Sequence, residues 1–117
     1  MDSSASSDAE RGRGPTEFVE RLKLKVQKEN LWFFILLLLS AKSRYGYELR
    51  RLVKDNFGFW SGSVTAYRVL YSLEAAGMVR SEVLERRKYY QITDLGREEV
   101  REAKVFLEGI LKTAGDS

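Results

Sequence analysis

The sequence lacks two residue types that often carry chemistry at neutral pH, because its 117 residues include no cysteine and no histidine. The absence of cysteine excludes a disulfide framework and thiolate metal sites. The absence of histidine removes the usual general base and the commonest metal ligand. The acidic residues show no ligand-like spacing within a loop, so most of them are expected to be solvated surface groups. We therefore expect no enzyme activity, no metal site and no cofactor.

Long apolar runs are also missing. The longest, Leu31 to Leu39, is far shorter than the roughly 20 residues that span a bilayer, and it favours a helix packed on most sides. Residues 1–14 are rich in serine, glycine and charge, so they are predicted to form a disordered tail rather than a secretory signal. The expectation is one small cytoplasmic domain without a membrane contact.

Residues 63–76 have the spacing of an amphipathic helix, and Gly77 behind them is typical of a C-terminal cap. At about 100° per residue, one side of this helix is apolar and carries Ala66, Val69, Leu70 and Leu73. The other side carries Val64, Arg68, Tyr71 and Ala75. Taken alone, this outer side is equally compatible with ordinary surface residues.

Residues 79–92 read as a strand pair, because Val79, Ser81 and Val83 alternate and Tyr90 and Ile92 can return beside them. The exposed connection is expected at residues 85–88. Its three basic residues are Arg86, Arg87 and Lys88. A basic hairpin tip next to the helix would let two surfaces meet phosphates and a groove together.

This region resembles the PadR family of bacterial and archaeal transcriptional regulators. The family's recognition-helix pattern is similar to Thr65-Ala66-Tyr67, Leu70, Leu73-Glu74 and Gly77. The end of its wing and the next helix start are similar to Arg87-Lys88-Tyr89-Tyr90 and Thr93-Asp94-Leu95-Gly96. Upstream, Ile35 to Ser40 and Gly46-Tyr47-Glu48-Leu49 resemble the first two helices of the family, so the resemblance covers residues 31–111.

The resemblance implies a winged helix-turn-helix that is mainly α with a small β-hairpin wing, in residues 31–93. Its first helix would run from Tyr45 to Phe57, with Phe59 and Trp60 packing at the junction. Three departures stand out: Tyr45 replaces a frequent histidine, Arg68 replaces a frequent proline, and the wing lacks its usual glycines. The wing is therefore expected to be short, while Arg68 adds a cation to the outer helix face.

The DNA-contacting residues implied by this fold lie in two groups. The helix and its entry supply Ser61, Ser63, Val64, Thr65, Tyr67, Arg68 and Tyr71. The wing supplies Arg86, Arg87 and Lys88. Ser61 and Ser63 have a second interpretation, because serines before a helix also cap it.

The two end segments, residues 15–30 and 94–117, are predicted to be dimerisation helices. In the first, Phe18, Leu22 and Val26 recur at helical spacing behind the entry Pro15-Thr16-Glu17. In the second, a 3-4 spacing typical of a coiled-coil seam joins Val100, Ala103, Leu107, Ile110 and Ala114. A stripe that covers the domain's own core is the alternative.

The charge distribution favours DNA as the partner. Residues 42–93 hold ten lysines or arginines against five acidic residues, whereas residues 94–117 hold four against six. The resulting interpretation is a homodimeric regulator of double-stranded DNA, and the resemblance implies that it is a repressor. A winged-helix module for protein association is one alternative. Another is an effector-binding dimer that takes a small aromatic compound, with Trp32 either lining its pocket or packing in the core.

Overall fold

The structure, a computed structural model, describes residues 16–115 and the side chains of residues 16–113. The predicted tail at residues 1–14 and the side chain of Ala114 lie outside this range. The helices are α1 (Glu17–Glu29), α2 (Leu31–Ala41), α3 (Leu49–Phe57), α4 (Ser63–Ala75) and α5 (Asp94–Gly115). The strands are β1 (Arg44–Tyr45), β2 (Val79–Leu84) and β3 (Arg87–Ile92), and a single 3₁₀ turn occupies Gly46–Glu48. No described helix is both long and apolar enough to cross a membrane.

Helix α2 forms the centre of the core. It is apolar around its whole circumference, and Ile35, Leu36 and Leu39 are almost completely buried. A helix without a polar face has to be covered on several sides. Here α3, α4, α5 and β3 pack around it, with Leu49, Leu70 and other buried residues of those elements. The expected central apolar helix is confirmed.

Helix α4 ends where Gly77 was expected to stop it. Gly77 has φ +80°, the left-handed region that favours glycine. The amide of Met78 donates to the Leu73 carbonyl at 2.9 Å, and the Gly77 amide donates to the Glu74 carbonyl at 3.0 Å. This pair of bonds is the Schellman arrangement, and it turns the chain directly into β2.

The start of α5 is built on the same corner. Thr93 caps the helix, because its Oγ1 accepts from the Gly96 amide at 3.1 Å and donates to the Gly77 carbonyl at 2.6 Å. Gly96 is required here for space, since a Cβ at this position would lie 2.2 Å from the Met78 oxygen. The helix start that the sequence indicates at Thr93-Asp94-Leu95-Gly96 is confirmed.

The sheet has three antiparallel strands in the order β1-β3-β2, one more than the predicted hairpin. Arg44 pairs with Tyr90 and Tyr45 with Tyr89. The prediction of a helix from Tyr45 to Phe57 is therefore wrong in its first part. The chain leaves β1 through the 3₁₀ turn, in which the Tyr45 amide donates to the Glu48 carboxylate at 3.1 Å. The α-helix begins only at Leu49.

Candidate nucleic-acid interface

Helix α4 presents its two faces as its periodicity predicts. Ala66, Leu70 and Leu73 are buried against the core. On the outer side, Val64, Tyr71 and Arg68 are exposed. Within the described part of the chain, the Arg68 side chain forms no hydrogen bond and no ion pair. An unpaired guanidinium between an exposed valine and an exposed tyrosine is free to contact a ligand.

The N-terminus of α4 is open. Its N-cap residue is Gly62, and no side chain caps the helix. The interpretation of Ser61 and Ser63 as caps is therefore wrong, and Ser63 and Thr65 are exposed beside the first turn of the helix. Ser61 differs from the prediction in another way, because its Oγ is buried and has no hydrogen-bond partner among the described residues. A phosphate at this helix end would be reached by backbone amides and not by the Ser61 hydroxyl.

Arg50 of α3 holds the turn that precedes α4. Its Nε donates to the Ser61 carbonyl at 2.8 Å, and its guanidinium lies 5.6 Å from the ring centroid of Trp60. Phe59 packs on Phe34 of the core helix as expected. Trp60 is instead 56% exposed, so it contributes much less to packing at the junction than predicted. These contacts fix where α4 begins.

The connection between β2 and β3 is shorter than the four residues predicted. Strands β2 and β3 pair as far as Leu84 and Arg87, so only Glu85 and Arg86 form the turn. Both residues have positive φ, +52° and +67°. A two-residue type I′ hairpin turn requires positive φ at both positions, although residues other than glycine disfavour it. Of the three predicted basic residues, Arg86 alone is at the tip, and Arg87 and Lys88 belong to β3.

Arg87 and Lys88 both contact other elements. The Arg87 guanidinium lies 4.7 Å from the ring centroid of Tyr47, and its Nη1 donates to the Tyr47 hydroxyl at 3.0 Å. Lys88 Nζ lies 4.0 Å from the Glu74 carboxylate of α4, which also accepts from the Ser81 hydroxyl at 2.7 Å. The strands of the wing are thereby connected to the 3₁₀ turn on one side and to α4 on the other.

A notch lies between α4 and the first residues of β3, with a volume of about 390 Å³. We call this the wing notch. Its lining residues are mostly aromatic or charged: Gly46, Tyr47, Tyr67, Tyr71, Glu74, Arg87, Lys88 and Tyr90. Burial, followed by the nearby Glu74 carboxylate, raises the pKa of the Tyr90 phenol above its ordinary value. Tyr90 is therefore neutral at physiological pH.

Tyr47 lines the wing notch, and the sequence did not indicate it as a candidate site residue. It was identified only as part of the Gly46-Tyr47-Glu48-Leu49 resemblance and was assigned to a helix. In the structure it follows β1, so that it stands beside Arg87, a residue 40 positions further along the chain. Its only sequence signal is that motif, because nothing local to Tyr47 indicates a neighbour so distant. The described residues also contain no group of three acidic side chains that could hold a metal ion.

The predicted dimerisation helices leave most of their apolar residues uncovered. Helix α1 has no buried residue, and Phe18, Leu22 and Val26 are 68%, 64% and 42% exposed. In α5, Leu107 and Ile110 are 45% and 50% exposed.

Two further residues of the predicted α5 seam, Val100 and Ala103, are at least partly covered within the domain. Val100 is 5% exposed and packs in the domain's own core, and Ala103 is half-buried. The proposed seam is thus divided. Its first turns cover this domain, as the alternative interpretation held, and its later turns remain exposed.

Comparison with known proteins adds independent information. The sequence matches the Transcriptional regulator PadR-like family over residues 35–102, more than half of the chain. No curated protein matches it. A PadR family transcriptional regulator from Eggerthella lenta has a similar structure, with 25% identity, a TM-score of 0.73 and coverage of 94% of this chain and 96% of the other.

Two further structures are similar. A transcriptional regulator from Clostridium thermocellum has 26% identity, a TM-score of 0.70 and coverage of 79% of this chain and 96% of the other. F93 from STIV, described as a winged-helix DNA-binding protein, shares the fold at 20% identity, with a TM-score of 0.63 and coverage of 71% and 91%. The predicted fold, a winged helix that is mainly α with a small sheet, is confirmed.

Proposed function

Because this chain belongs to the PadR-like family of transcriptional regulators, we propose that it represses transcription as a two-fold dimer, reading DNA with α4 and contacting the backbone with its wing. Membership makes it a DNA-binding regulator and confirms that it is not an enzyme. Repression, the dimer, the individual DNA contacts and the cytoplasmic location are the parts that we propose.

The observation that carries the DNA contacts is the outer face of α4. Arg68 is exposed and unpaired there among the described residues, and Val64 and Tyr71 flank it one turn away. An arginine on a helix in the major groove can donate two hydrogen bonds to a guanine. The open amides at the start of the same helix suit a phosphate, since a helix N-terminus attracts anions. The exposed Arg86 at the wing tip suits a second phosphate.

Binding to duplex DNA at several salt concentrations tests this proposal. Arg68→Ala should weaken binding to the preferred sequence by roughly tenfold to a hundredfold, with the loss concentrated at one base pair. Arg86→Ala should instead weaken binding to all sequences and reduce the salt slope by about 0.9. Arg101→Ala is the matched control, because Arg101 is an exposed arginine of α5 that is paired with Glu98.

An unmutated protein that does not bind duplex DNA in low salt would contradict the DNA contacts and favour protein association as the use of this surface. An Arg68→Ala variant that loses no more affinity than the Arg101→Ala control would contradict base reading by α4. Transcription in vitro from a promoter that contains the selected site checks repression, because a repressor should lower the transcript yield and an activator should raise it.

The dimer is supported by the apolar surface that α1 and the second half of α5 leave uncovered. Exposed leucine, isoleucine and phenylalanine side chains recurring along one helix face indicate a surface that another chain covers. A two-fold axis between these helices would place two copies of α4 about one DNA turn apart, roughly 34 Å. Each copy would then read one half of a pseudo-palindrome.

A small aromatic effector has a candidate site in a second cavity, of about 420 Å³, between α1 and the turn before α4. Phe59 and the half-exposed Trp60 supply aromatic surface, and Lys28 supplies a cation for a carboxylate. The volume lies in the usual range for small-ligand sites. Trp32, the residue considered earlier, is packed against the core instead. Leu24 and Lys28 line the cavity and lie about 160° and about 120° from Leu22 around α1, so a dimer through the Leu22 face of α1 would leave the cavity open.

Indole fluorescence tests the effector site. A Trp32→Phe variant leaves Trp60 as the single tryptophan, so titration with benzoate should change its emission, and cyclohexanecarboxylate should change it less. Equal responses to the two acids, or no response, would remove the aromatic effector from the proposal.

A further inference from the structure

We propose that the wing notch binds one backbone phosphate of DNA, held jointly by the Arg87 guanidinium and the Tyr47 hydroxyl. This inference rests on the proposed function, and it adds the 3₁₀ turn between β1 and α3 to the DNA-contacting elements. It also distinguishes two neighbouring wing residues. Arg86 at the tip is a free cation, whereas the fold holds the Arg87 cation in one position.

The Arg87 side chain is positioned by a series of aromatic rings. Its guanidinium lies over the ring of Tyr47, 4.7 Å from the centroid. Tyr47 is stacked on Tyr45 at 5.6 Å, and the Tyr45 ring contacts the edge of Tyr89 at 4.9 Å. Pairing of Tyr45 with Tyr89 in the sheet holds this series in place. An arginine that is already ordered loses less side-chain entropy when it binds, which favours it over a mobile surface cation.

The hydrogen-bond inventory leaves donors free. A guanidinium carries five N–H groups, and Arg87 uses one of them on the Tyr47 oxygen. Because the Tyr47 oxygen accepts that bond, its own O–H can donate, and it has no acceptor among the described residues. Two neighbouring groups therefore offer donors at one place, which suits an anion with several acceptor oxygens. The bond from Arg87 also polarises the Tyr47 hydroxyl and makes it a better donor.

The charges in the wing notch match a phosphodiester. Arg87 and Lys88 are the two cations of the lining and Glu74 is its one anion, so the notch carries one positive charge. Glu74 is occupied by Lys88 and by the Ser81 hydroxyl, and it is not free to compete for the Arg87 donors. One phosphodiester would neutralise the remaining charge.

The position of the notch points to DNA as the source of the phosphate. Tyr71 belongs both to the lining of the notch and to the exposed outer face of α4. A duplex whose major groove receives α4 would therefore pass its backbone next to the notch. Arg87 directly follows the two-residue turn at the end of the wing and lies beside the 3₁₀ turn, so the site needs no longer wing loop.

Tyr47→Phe is the sharpest variant, because it keeps the ring under Arg87 and removes only the hydroxyl. In anisotropy titrations with duplex DNA, it should weaken binding by about threefold to tenfold and leave the salt slope unchanged, since the cation stays. Arg87→Ala should weaken binding more and lower the slope by about 0.9. In the Arg87→Ala background, Tyr47→Phe should have little further effect, because the two groups act on one phosphate.

Tyr89→Phe is the matched control. The Tyr89 ring lies in the same series of aromatic residues, but Tyr89 does not line the wing notch. The DNA affinity of Tyr89→Phe should therefore stay within about twofold of that of the unmutated protein. Thermal unfolding of each variant confirms that it is folded. A set of duplexes, each with one neutral methylphosphonate in place of a phosphate, then locates the contacted phosphate. At one position the replacement should weaken binding of the unmutated protein and have almost no effect on binding of Arg87→Ala.

Several outcomes would overturn this inference. Additive effects of Tyr47→Phe and Arg87→Ala would mean that the two groups do not share a ligand. Equal effects of Tyr47→Phe and Tyr89→Phe would mean that the loss is structural. If Arg68→Ala weakens binding while Tyr47→Phe and Arg87→Ala leave it unchanged, the inference fails and the proposed function stands. If the unmutated protein binds no DNA, both fail. Competition by inorganic phosphate at low millimolar concentration would indicate a site for a free anion instead.

Discussion

Replacing Leu107 and Ile110 with aspartate should separate the two protomers without unfolding either of them. Both side chains are about half exposed in the single chain, so the domain's own core depends little on them. Fully burying a leucine or isoleucine contributes roughly 1.5–3 kcal/mol, so covering the exposed half of each contributes about 1 kcal/mol. Each residue occurs twice in a two-fold dimer, which gives about 4 kcal/mol, or roughly a thousandfold in the dissociation constant.

The true effect should be larger than this area estimate, because an aspartate without a partner in an apolar interface adds a desolvation cost. DNA affinity should fall steeply as well, although neither residue contacts DNA, since a monomer loses the second half-site. Sedimentation velocity at tens of micromolar protein, in about physiological salt, measures the assembly. Circular dichroism of the same samples should show that helix content is retained.

Val105→Asp provides the control. Val105 is 64% exposed and lies on the side of α5 opposite to Leu107 and Ile110, so the same change of chemistry should leave the dimer intact. The reasoning is refuted if the unmutated protein sediments as a monomer, or if the double variant sediments as a dimer. Either result would mean that another surface, or none, joins two copies.

Four further predictions concern stability. In denaturant titrations, Gly96→Ala should lower the free energy of unfolding by about 3 kcal/mol or more, because a Cβ would lie 2.2 Å from a main-chain oxygen. A Cβ at Gly109 would meet nothing within 4 Å, so Gly109→Ala should raise the free energy of unfolding by about 0.5–1 kcal/mol in the same titrations. The double change Glu85→Asn and Arg86→Gly supplies residues that accept positive φ, so it should raise the free energy of unfolding by about 1 kcal/mol, while DNA affinity falls with the loss of the tip cation. Burial raises the pKa of Tyr90, so the neutral phenol contributes fully to the free energy of unfolding below the ordinary phenol pKa of 10.0. This contribution is lost as pH rises through the folded-state pKa. In unfolding titrations above pH 10, Tyr90→Phe should therefore lose less stability with rising pH than the unmutated protein.

What the sequence determined is mostly local. The faces of α4, its end at Gly77 and the capping by Thr93 were predictable, because helical periodicity and terminal hydrogen bonds involve residues only a few positions apart. The apolar run of α2 was equally clear, since a short helix without a polar face belongs in a core.

What only the tertiary structure decided depends on residues far apart in the chain. The apolar spacing in α5 is the same along the helix, yet Val100 packs in the domain's own core and Leu107 is exposed. The difference arises because other elements of the domain cover α5 at Val100 and no longer do so at Leu107. Strand β1 is two residues long and exists only because β3 pairs with it, and this pairing is what brings Tyr47 beside Arg87. Periodicity reports which side of an element is apolar, whereas the element that covers that side is set by packing across the whole domain.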